Sequence, residues 1–336
     1  MILVTGGTGL VGSHLLYKLI SNNENVRAIY RTEKKLKIVE NVFSIYSKDY
    51  KSLFNKIEWV KTDLLDISSL SEAFKNISYV YHCAAFVSFE PDKYHLLRRT
   101  NIEGTANIVN LCIANNINKL CYTSSIAAIG ETINNNDITE KTEWNSETDN
   151  SVYAITKYGA EIEVWRGSQE GLDVVIVNPG VILGPGIWRY GSGSFFSKIF
   201  KGIPYYTSGL IGLIDVEDVV NIMMQLTKSD IKNERYILVS ENWTYKRFFQ
   251  TIANNLNVKQ PSKKAKNWQL QIVWRLDWLF HKLKGRRRRL TKQLVNSFKN
   301  ESFYSNKKII KALDYEFKPI DKSINEVSQV FLNQVS

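Results

Sequence analysis

An α/β fold, a doubly wound parallel sheet with a smaller C-terminal cap, is predicted for this chain by three observations. A glycine-rich turn at residues 5–12 joins an apolar run to a helical pattern. Strand-like and helix-like segments then alternate as far as about residue 184, and beyond it the alternation breaks. Such alternation marks βαβ units, in which helical crossovers leave successive strands parallel.

The first strand is Met1-Ile2-Leu3-Val4, and Ser13-His14-Leu15-Leu16-Tyr17-Lys18-Leu19-Ile20 repeats apolar residues at helical spacing. Between them lies Thr5-Gly6-Gly7-Thr8-Gly9-Leu10-Val11-Gly12. Gly6 permits the tight turn, Gly9 lets the backbone approach a pyrophosphate, and Gly12 lets the helix pack closely on the strand. The helix N-terminus then offers unpaired N–H groups to the phosphates, so strand, turn and helix together imply a dinucleotide site.

Further strands are predicted at 25–30, 57–61, 79–84, 119–123 and 174–177, the last entirely apolar. Residues 102–114 form an amphipathic crossover helix, and another helix starts near Val152. Ligands of such sheets sit at the carboxyl ends of the strands, which singles out the residues just past each one. Later come a flexible turn at 191–194, a short helix at 195–200 and a strand at 211–214, followed by a helix capped by Asp215 or Asp218. Polar residues 134–150 read as a surface loop. The organisation expected is a nucleotide-binding domain at 1–185, to which 215–239 returns, and a basic, aromatic cap at 186–214 and 240–336 that binds substrate.

Composition narrows the class. A hydrophobic content of 44% is that of a folded protein, not a disordered one. A first strand at Met1 leaves no room for a signal peptide, and no apolar segment is long enough to span a bilayer. Cys83, Cys112 and Cys121 are odd in number, lack metal-ligand spacing and read as buried free thiols of a reducing, cytoplasmic compartment. The net charge of +11 is uneven: 241–336 hold 20 Lys+Arg against 7 Asp+Glu, and 1–240 hold 24 against 26. Arg286-Arg287-Arg288-Arg289 is its densest point, a solvated face by default and otherwise an attractor of phosphorylated substrates, anionic lipid or nucleic acid.

Chemistry is carried by Tyr153-Ala154-Ile155-Thr156-Lys157. Positions four apart share a helix face, so both side chains can enter one site. A phenol with an ordinary pKa near 10 exchanges protons poorly at neutral pH, and a nearby ammonium lowers that pKa.

With these motifs the chain resembles the short-chain dehydrogenase/reductase superfamily, in its extended, epimerase/dehydratase-like branch, from residue 1 to about 218. The likeness also rests on Asp63-Leu64, His82-Cys83-Ala84-Ala85, Asn101-Ile102-Glu103-Gly104-Thr105-Ala106-Asn107, Thr123-Ser124-Ser125, Asn178-Pro179-Gly180 and Ile214-Asp215-Val216-Glu217-Asp218-Val219. It implies an NAD(P)-binding Rossmann fold in which Tyr153 exchanges the proton. It also implies that Lys157 binds the nicotinamide ribose and holds the Tyr153 pKa down, and that Ser125 orients the substrate oxygen. Ser125 is preferred to Ser124 because Gly130 follows five residues later, as in the family. The cofactor would lie on Thr5, Gly6, Gly9, Leu10, Val11 and Gly12, with Asp63 and Leu64 at the adenine. Ala84, Ala85, Pro179 and Gly180 would complete its site with Tyr153 and Lys157. Asn101 reads as a helix cap, and His82 and Cys83 as structural.

After the second strand stands Tyr30-Arg31-Thr32-Glu33-Lys34-Lys35, without an acidic residue at the strand end. Arg31 can stack on adenine and pair with a 2′-phosphate, and Lys34 or Lys35 can add charge, so NADP is favoured over NAD. Ile126 and Ala127 follow Ser125 where the family's dehydratases carry an acidic pair, which argues against dehydration. Reduction of a ketone or oxidation of a secondary alcohol on a ring-containing substrate is the leading reading, because 178–186 and 80–89 resemble dihydroflavonol reductases and 3β-hydroxysteroid dehydrogenases. The alternative is a nucleotide-sugar epimerase. A cofactor-binding sensor or nucleic-acid-binding protein is a weaker reading, since the Tyr, Lys and Ser are all retained. A homodimer is compatible with either enzyme.

Residues 268–283 form an amphipathic helix with a stripe of Trp268, Ile272, Leu276, Leu279 and Leu283. That stripe is expected to pack on the cap. The sharper alternative is a peripheral membrane contact through 268–289.

Overall fold

Side chains of a strand alternate between its two faces, and in this chain both faces are apolar. Ile2 and Val4 enter one buried cluster while Leu3 enters another. Val175 and Val177 repeat the first choice, and Val174 and Ile176 the second. A sheet buried on both faces needs helices on both faces. The computed structural model, which describes residues 1–130, 137–284, 288, 291–298 and 301–335, has that arrangement.

Its strands, in chain order, begin with β1 (Ile2–Thr5), β2 (Val26–Tyr30), β3 (Glu58–Lys61), β4 (Tyr79–His82), β5 (Lys119–Thr123) and β6 (Val174–Pro179). There follow β7 (Val181–Leu183), β8 (Tyr205–Tyr206), β9 (Leu210–Asp215), β10 (Glu234–Leu238), β11 (Glu241–Thr244) and β12 (Lys263–Lys264). The main sheet has seven strands in the order β10-β6-β5-β4-β1-β2-β3. Every neighbouring pair in it is parallel. The order reverses between β1 and β4, and a crevice opens at the carboxyl ends of such strands. On one face Leu15 and Leu16 of helix Leu10–Ser21, Phe43 of Leu36–Tyr46 and Met223 of Val216–Lys228 are buried. On the other, Ile108 and Cys112 of Gly104–Ala114 pack with Ala160 and Val164 of Val152–Gln169.

β7, β9 and β11 form a second sheet, with β9 parallel to β7 and antiparallel to β11. Helices Gly193–Phe200, Tyr245–Asn255 and Ile320–Val335 close over it, burying Phe196, Ile199, Trp243, Phe248, Ile252, Ile324 and Phe331. Of the two capping candidates, Asp215 caps the helix, accepting the Glu217 N–H at 2.8 Å. Asp218 instead accepts from the Tyr315 hydroxyl and the Lys318 N–H.

The structure departs from the sequence reading in several places. The strand expected at 79–84 stops at His82, and the Ala84 N–H goes to the Thr5 hydroxyl at 3.3 Å instead of a ladder carbonyl. Beyond it the Asn101 side chain takes both polar groups of Phe86, accepting its N–H at 2.7 Å and donating to its carbonyl at 3.0 Å. Asn101 is therefore no helix cap; it lies within the π-helical turn Arg98–Glu103 and is buried. The loop at 134–150, as far as it is described, is more than a surface feature. Ile138 is 1% exposed and pairs with Tyr304, anchoring it. Ile309 of helix Lys307–Leu313 packs into the main core beside β10, so the chain after 240 touches both layers. Cys112 and Cys121 are buried, whereas Cys83, just past β4, is only partly so. Among the described residues no helix is long and apolar enough to cross a membrane. Arg286, Arg287 and Arg289 of the arginine run lie outside the described residues.

Candidate active site

The glycine turn is built by close backbone approach. Gly6 has a φ of +70°, and a Cβ on it would stand 2.5 Å from the Ala84 nitrogen. A Cβ on Gly12 would stand 2.3 Å from the Gly6 carbonyl oxygen. Gly9 precedes helix Leu10–Ser21 in extended conformation, with no side-chain cap and no acidic residue in the first turn. Those first N–H groups and the positive end of the dipole meet no protein anion, which is the environment a pyrophosphate requires. The turn fits a dinucleotide.

Thr5 ties this turn to β4. Its hydroxyl hydrogen-bonds His82 Nδ1 at 2.6 Å and accepts the Ala84 N–H at 3.3 Å. His82 Nε2 lies 3.0 Å from the Thr105 hydroxyl, and burial pushes its pKa down to about 3. A neutral imidazole with both nitrogens engaged is structural. Ala84 is half-buried and Ala85 exposed beyond it.

At the far end of the crevice, Arg31 and Asp63 follow β2 and β3 and form an ion pair at 3.4 Å, both largely exposed. Lys35 ends the short 3-10 turn after Arg31 and is exposed. Leu64 is buried, and its carbonyl accepts from the Asn107 amide at 2.8 Å. Pro179 ends β6, and Gly180 has a packing reason of its own: a Cβ there would lie 2.5 Å from the Gly212 carbonyl oxygen.

Helix Val152–Gln169 presents Tyr153 and Lys157 on one face, its start capped by Ser151, which accepts the Ala154 N–H at 3.1 Å. Half-buried Tyr153 shares a hydrogen bond with the Ser125 hydroxyl and packs its ring 5.5 Å from Phe89. Burial raises the phenol pKa, and the Ser125 hydrogen bond opposes the rise. Ser124 faces the other way, donating to Glu161 at 2.6 Å inside the protein.

Lys157 differs from expectation. Its ammonium is 1% exposed and donates to the Tyr122 hydroxyl at 2.6 Å and to the Thr123 carbonyl at 2.9 Å. Burial pushes its pKa down to about 7, while Glu161 and then Cys83 pull upward. Those two fixed acceptors, rather than Tyr153, hold the ammonium. The expected lowering of the Tyr153 pKa by Lys157 is absent from this arrangement.

The sequence reading misses the support beneath. Glu161, one turn past Lys157, accepts from Ser124, from the Asn178 amide at 2.8 Å and from Arg235 at 3.0 Å. Asn178 also donates to the Ser125 carbonyl at 3.0 Å. The four-residue recurrence Tyr153, Lys157, Glu161 is the signal that finds Glu161. Tyr122, Phe89 and Arg235 carry none.

Known proteins resemble this chain in sequence and in fold. The model of the NAD dependent epimerase/dehydratase family matches residues 2–238. A putative dihydroflavonol 4-reductase of Synechocystis is 28% identical over 337 residues, covering 98% of this chain and 94% of the relative. Sterol demethylase protein B of Methylococcus capsulatus is 28% identical over 257 residues, covering 74% of this chain and 72% of that one. A UDP-glucose 4-epimerase of Thermotoga maritima, solved with UDP-glucose, superposes with a TM-score of 0.78 at 20% identity, covering 100% of this chain and 99% of the other. That last likeness shows the fold.

Proposed function

Since the chain belongs to the NAD dependent epimerase/dehydratase family, we propose that it reduces a ketone on an apolar, ring-containing substrate, with Tyr153 as proton donor. It is a nicotinamide-dinucleotide-dependent enzyme of the extended short-chain dehydrogenase/reductase type. The observation that carries this reading is the pairing of the Tyr153 phenol with the Ser125 hydroxyl just past β5, at the carboxyl ends of the strands. A protonated phenol suits delivery of a proton to a carbonyl oxygen as negative charge grows there. Ser125 orients that oxygen and stabilises its charge.

Bound at the glycine turn, the cofactor supplies the hydride or takes it up. Thr5, Gly6, Gly9, Leu10, Val11 and Gly12 would hold its pyrophosphate side, Asp63 and Leu64 its adenine. Ala84, Ala85, Pro179, Gly180 and Lys157 would hold its nicotinamide side. NADP rather than NAD belongs to this proposal. Arg31 follows β2 with no acid at the strand end, and its exposed 3.4 Å pair with Asp63 is of the weak surface kind that a 2′-phosphate can replace. A cytoplasmic setting fits three free thiols.

Residues 186–214 and 240–336 would form the substrate-binding cap. Its aromatic richness alone does not argue for an apolar pocket, because Phe196, Trp243 and Phe248 are buried in its own core. The ring-containing substrate rests instead on the relatives, two of which are named for a dihydroflavonol and a sterol. The epimerase alternative uses the same three side chains. A panel of cyclic ketones with NADPH, run beside UDP-sugar epimerisation assays, decides between them. Net cofactor oxidation with a ketone supports reduction, and sugar epimerisation without net oxidation overturns it.

A further inference from the structure

Helix Asn267–Lys284 is turned inside out. Trp268, Ile272, Leu276, Leu279 and Leu283, the stripe that the sequence predicts to pack on the cap, are 60, 47, 46, 42 and 70% exposed. The opposite side of the helix holds Leu270, Trp274 and Asp277, which are only partly exposed. A contiguous apolar stripe left in water marks an interaction surface.

Charge selects the occupant. Residues 242–300 hold 15 Lys+Arg and a single acid, Asp277. Lys263, Lys264, Lys266, Arg275 and Lys282 are exposed on or beside the helix. Two copies meeting through this surface would bring like charges together, whereas an anionic bilayer matches both the charge and the stripe. Nucleic acid would satisfy the charge and leave the leucines and tryptophan without a role. Helix Lys292–Ser297, packed against Asn267–Lys284, reaches back to the site: Lys292 pairs with Asp149 at 3.1 Å and Asn296 donates to it at 3.4 Å. Asp149 stands four residues before Tyr153.

We propose that helix Asn267–Lys284 seats the enzyme on an anionic lipid surface, its apolar stripe among the acyl chains and its flanking cations on lipid phosphates. The seat is joined through Asp149 to the start of the Tyr153 helix. An apolar substrate can then pass from bilayer to site without crossing water. Only this delivery role rests on the ketone-reductase reading; the docking does not.

Flotation of the full-length protein with vesicles of phosphatidylcholine and phosphatidylglycerol in equal parts tests it. The protein should float with them, show blue-shifted tryptophan emission, and be released by salt or by pure phosphatidylcholine vesicles. Lys282→Ala should weaken binding about fivefold. Ile272→Glu with Leu279→Glu should weaken it by at least about tenfold and leave the urea unfolding midpoint unchanged, since both side chains are exposed. Failure to float, or flotation indifferent to both substitutions, overturns the proposal. So does a concentration-dependent dimer that the double substitution dissolves, or a nucleic-acid complex in place of vesicle binding. A protein that floats but reduces no ketone sinks the functional reading and leaves the docking intact.

Discussion

Glu161→Ala tests whether the ion pair under the Tyr153 face is structural only or part of the proposed site. The carboxylate is 1% exposed and accepts three hydrogen bonds, from Ser124, Asn178 and Arg235. Removing one partner of a buried ion pair costs about 3–5 kcal/mol, most of it from the charge left behind. Arg235 still donates to the Glu140 and Thr142 carbonyls and its side chain is 19% exposed, which favours the lower end. Ser124 and Asn178 each lose an acceptor, adding about 1 kcal/mol apiece. A total of about 5 kcal/mol is expected in urea unfolding, a large part of the stability of an ordinary domain. Glu161→Gln keeps the shape and one acceptor and should lose less. If Asn178 positions Ser125 through Glu161, kcat of the Gln variant should fall roughly tenfold with KM nearly constant. A loss below about 1 kcal/mol in the Ala variant, with full activity in the Gln variant, would refute the reasoning.

Other outcomes follow from the same geometry. Tyr153→Phe should abolish turnover while cofactor titration stays near wild type, because the hydroxyl acts only in the chemical step. Ser125→Ala should be milder, about 1–3 kcal/mol in kcat/KM, and an unaltered Tyr153→Phe rate would mean the mechanism is wrong. Arg31→Ala should erase a preference for NADPH over NADH in fluorescence titration; an unchanged ratio counts against a 2′-phosphate contact. Acid should destabilise the fold through His82 and His14, whose pKa values burial lowers to about 3 and about 4. Between pH 6.5 and those values the unfolded chain binds the extra protons. Stability therefore falls as pH falls, by about 2 kcal/mol per imidazole at pH 5. A His14→Phe variant whose urea midpoint keeps the full wild-type pH dependence would contradict this.

Short-range signals survive into the fold and long-range ones do not. The glycine turn, the strands and the Tyr153–Lys157 spacing are local, and six of the seven main-sheet strands lie within about two residues of their expected places, while β10 is not among the strands predicted. What Lys157 binds is another matter. Tyr122 lies 35 positions away and meets it only because β5 runs under the helix. Hydrophobic periodicity likewise finds the stripe on Asn267–Lys284 and is silent about what the stripe faces. Val181-Ile182-Leu183 follows β6 almost without a break, and no local pattern says that it leaves for a second sheet. Gly180 is the hinge of that exchange, since only a glycine lets β9 come so close.

The return of the chain after the cap has a chemical consequence as well as a topological one. β10 closes the edge of the sheet beside β6 and delivers Arg235, 74 positions from Glu161, beneath the Tyr153 helix. Arg235 compensates the Glu161 carboxylate, and that carboxylate supports charge on Lys157 against burial. Down one helix face the sequence thus runs from a half-buried phenol to a buried ammonium to a buried carboxylate, and the cation that completes the series comes from the last strand of the sheet. β7 and β9, which belong to the second sheet, lie in sequence between β6 and β10. The Glu161–Arg235 pair is therefore complete only when the chain has built β7 and β9 of the second sheet and come back. A change in the 186–214 segment that shifts β10 should thus reach the Tyr153 face through Arg235, without touching Ser125, Tyr153 or Lys157.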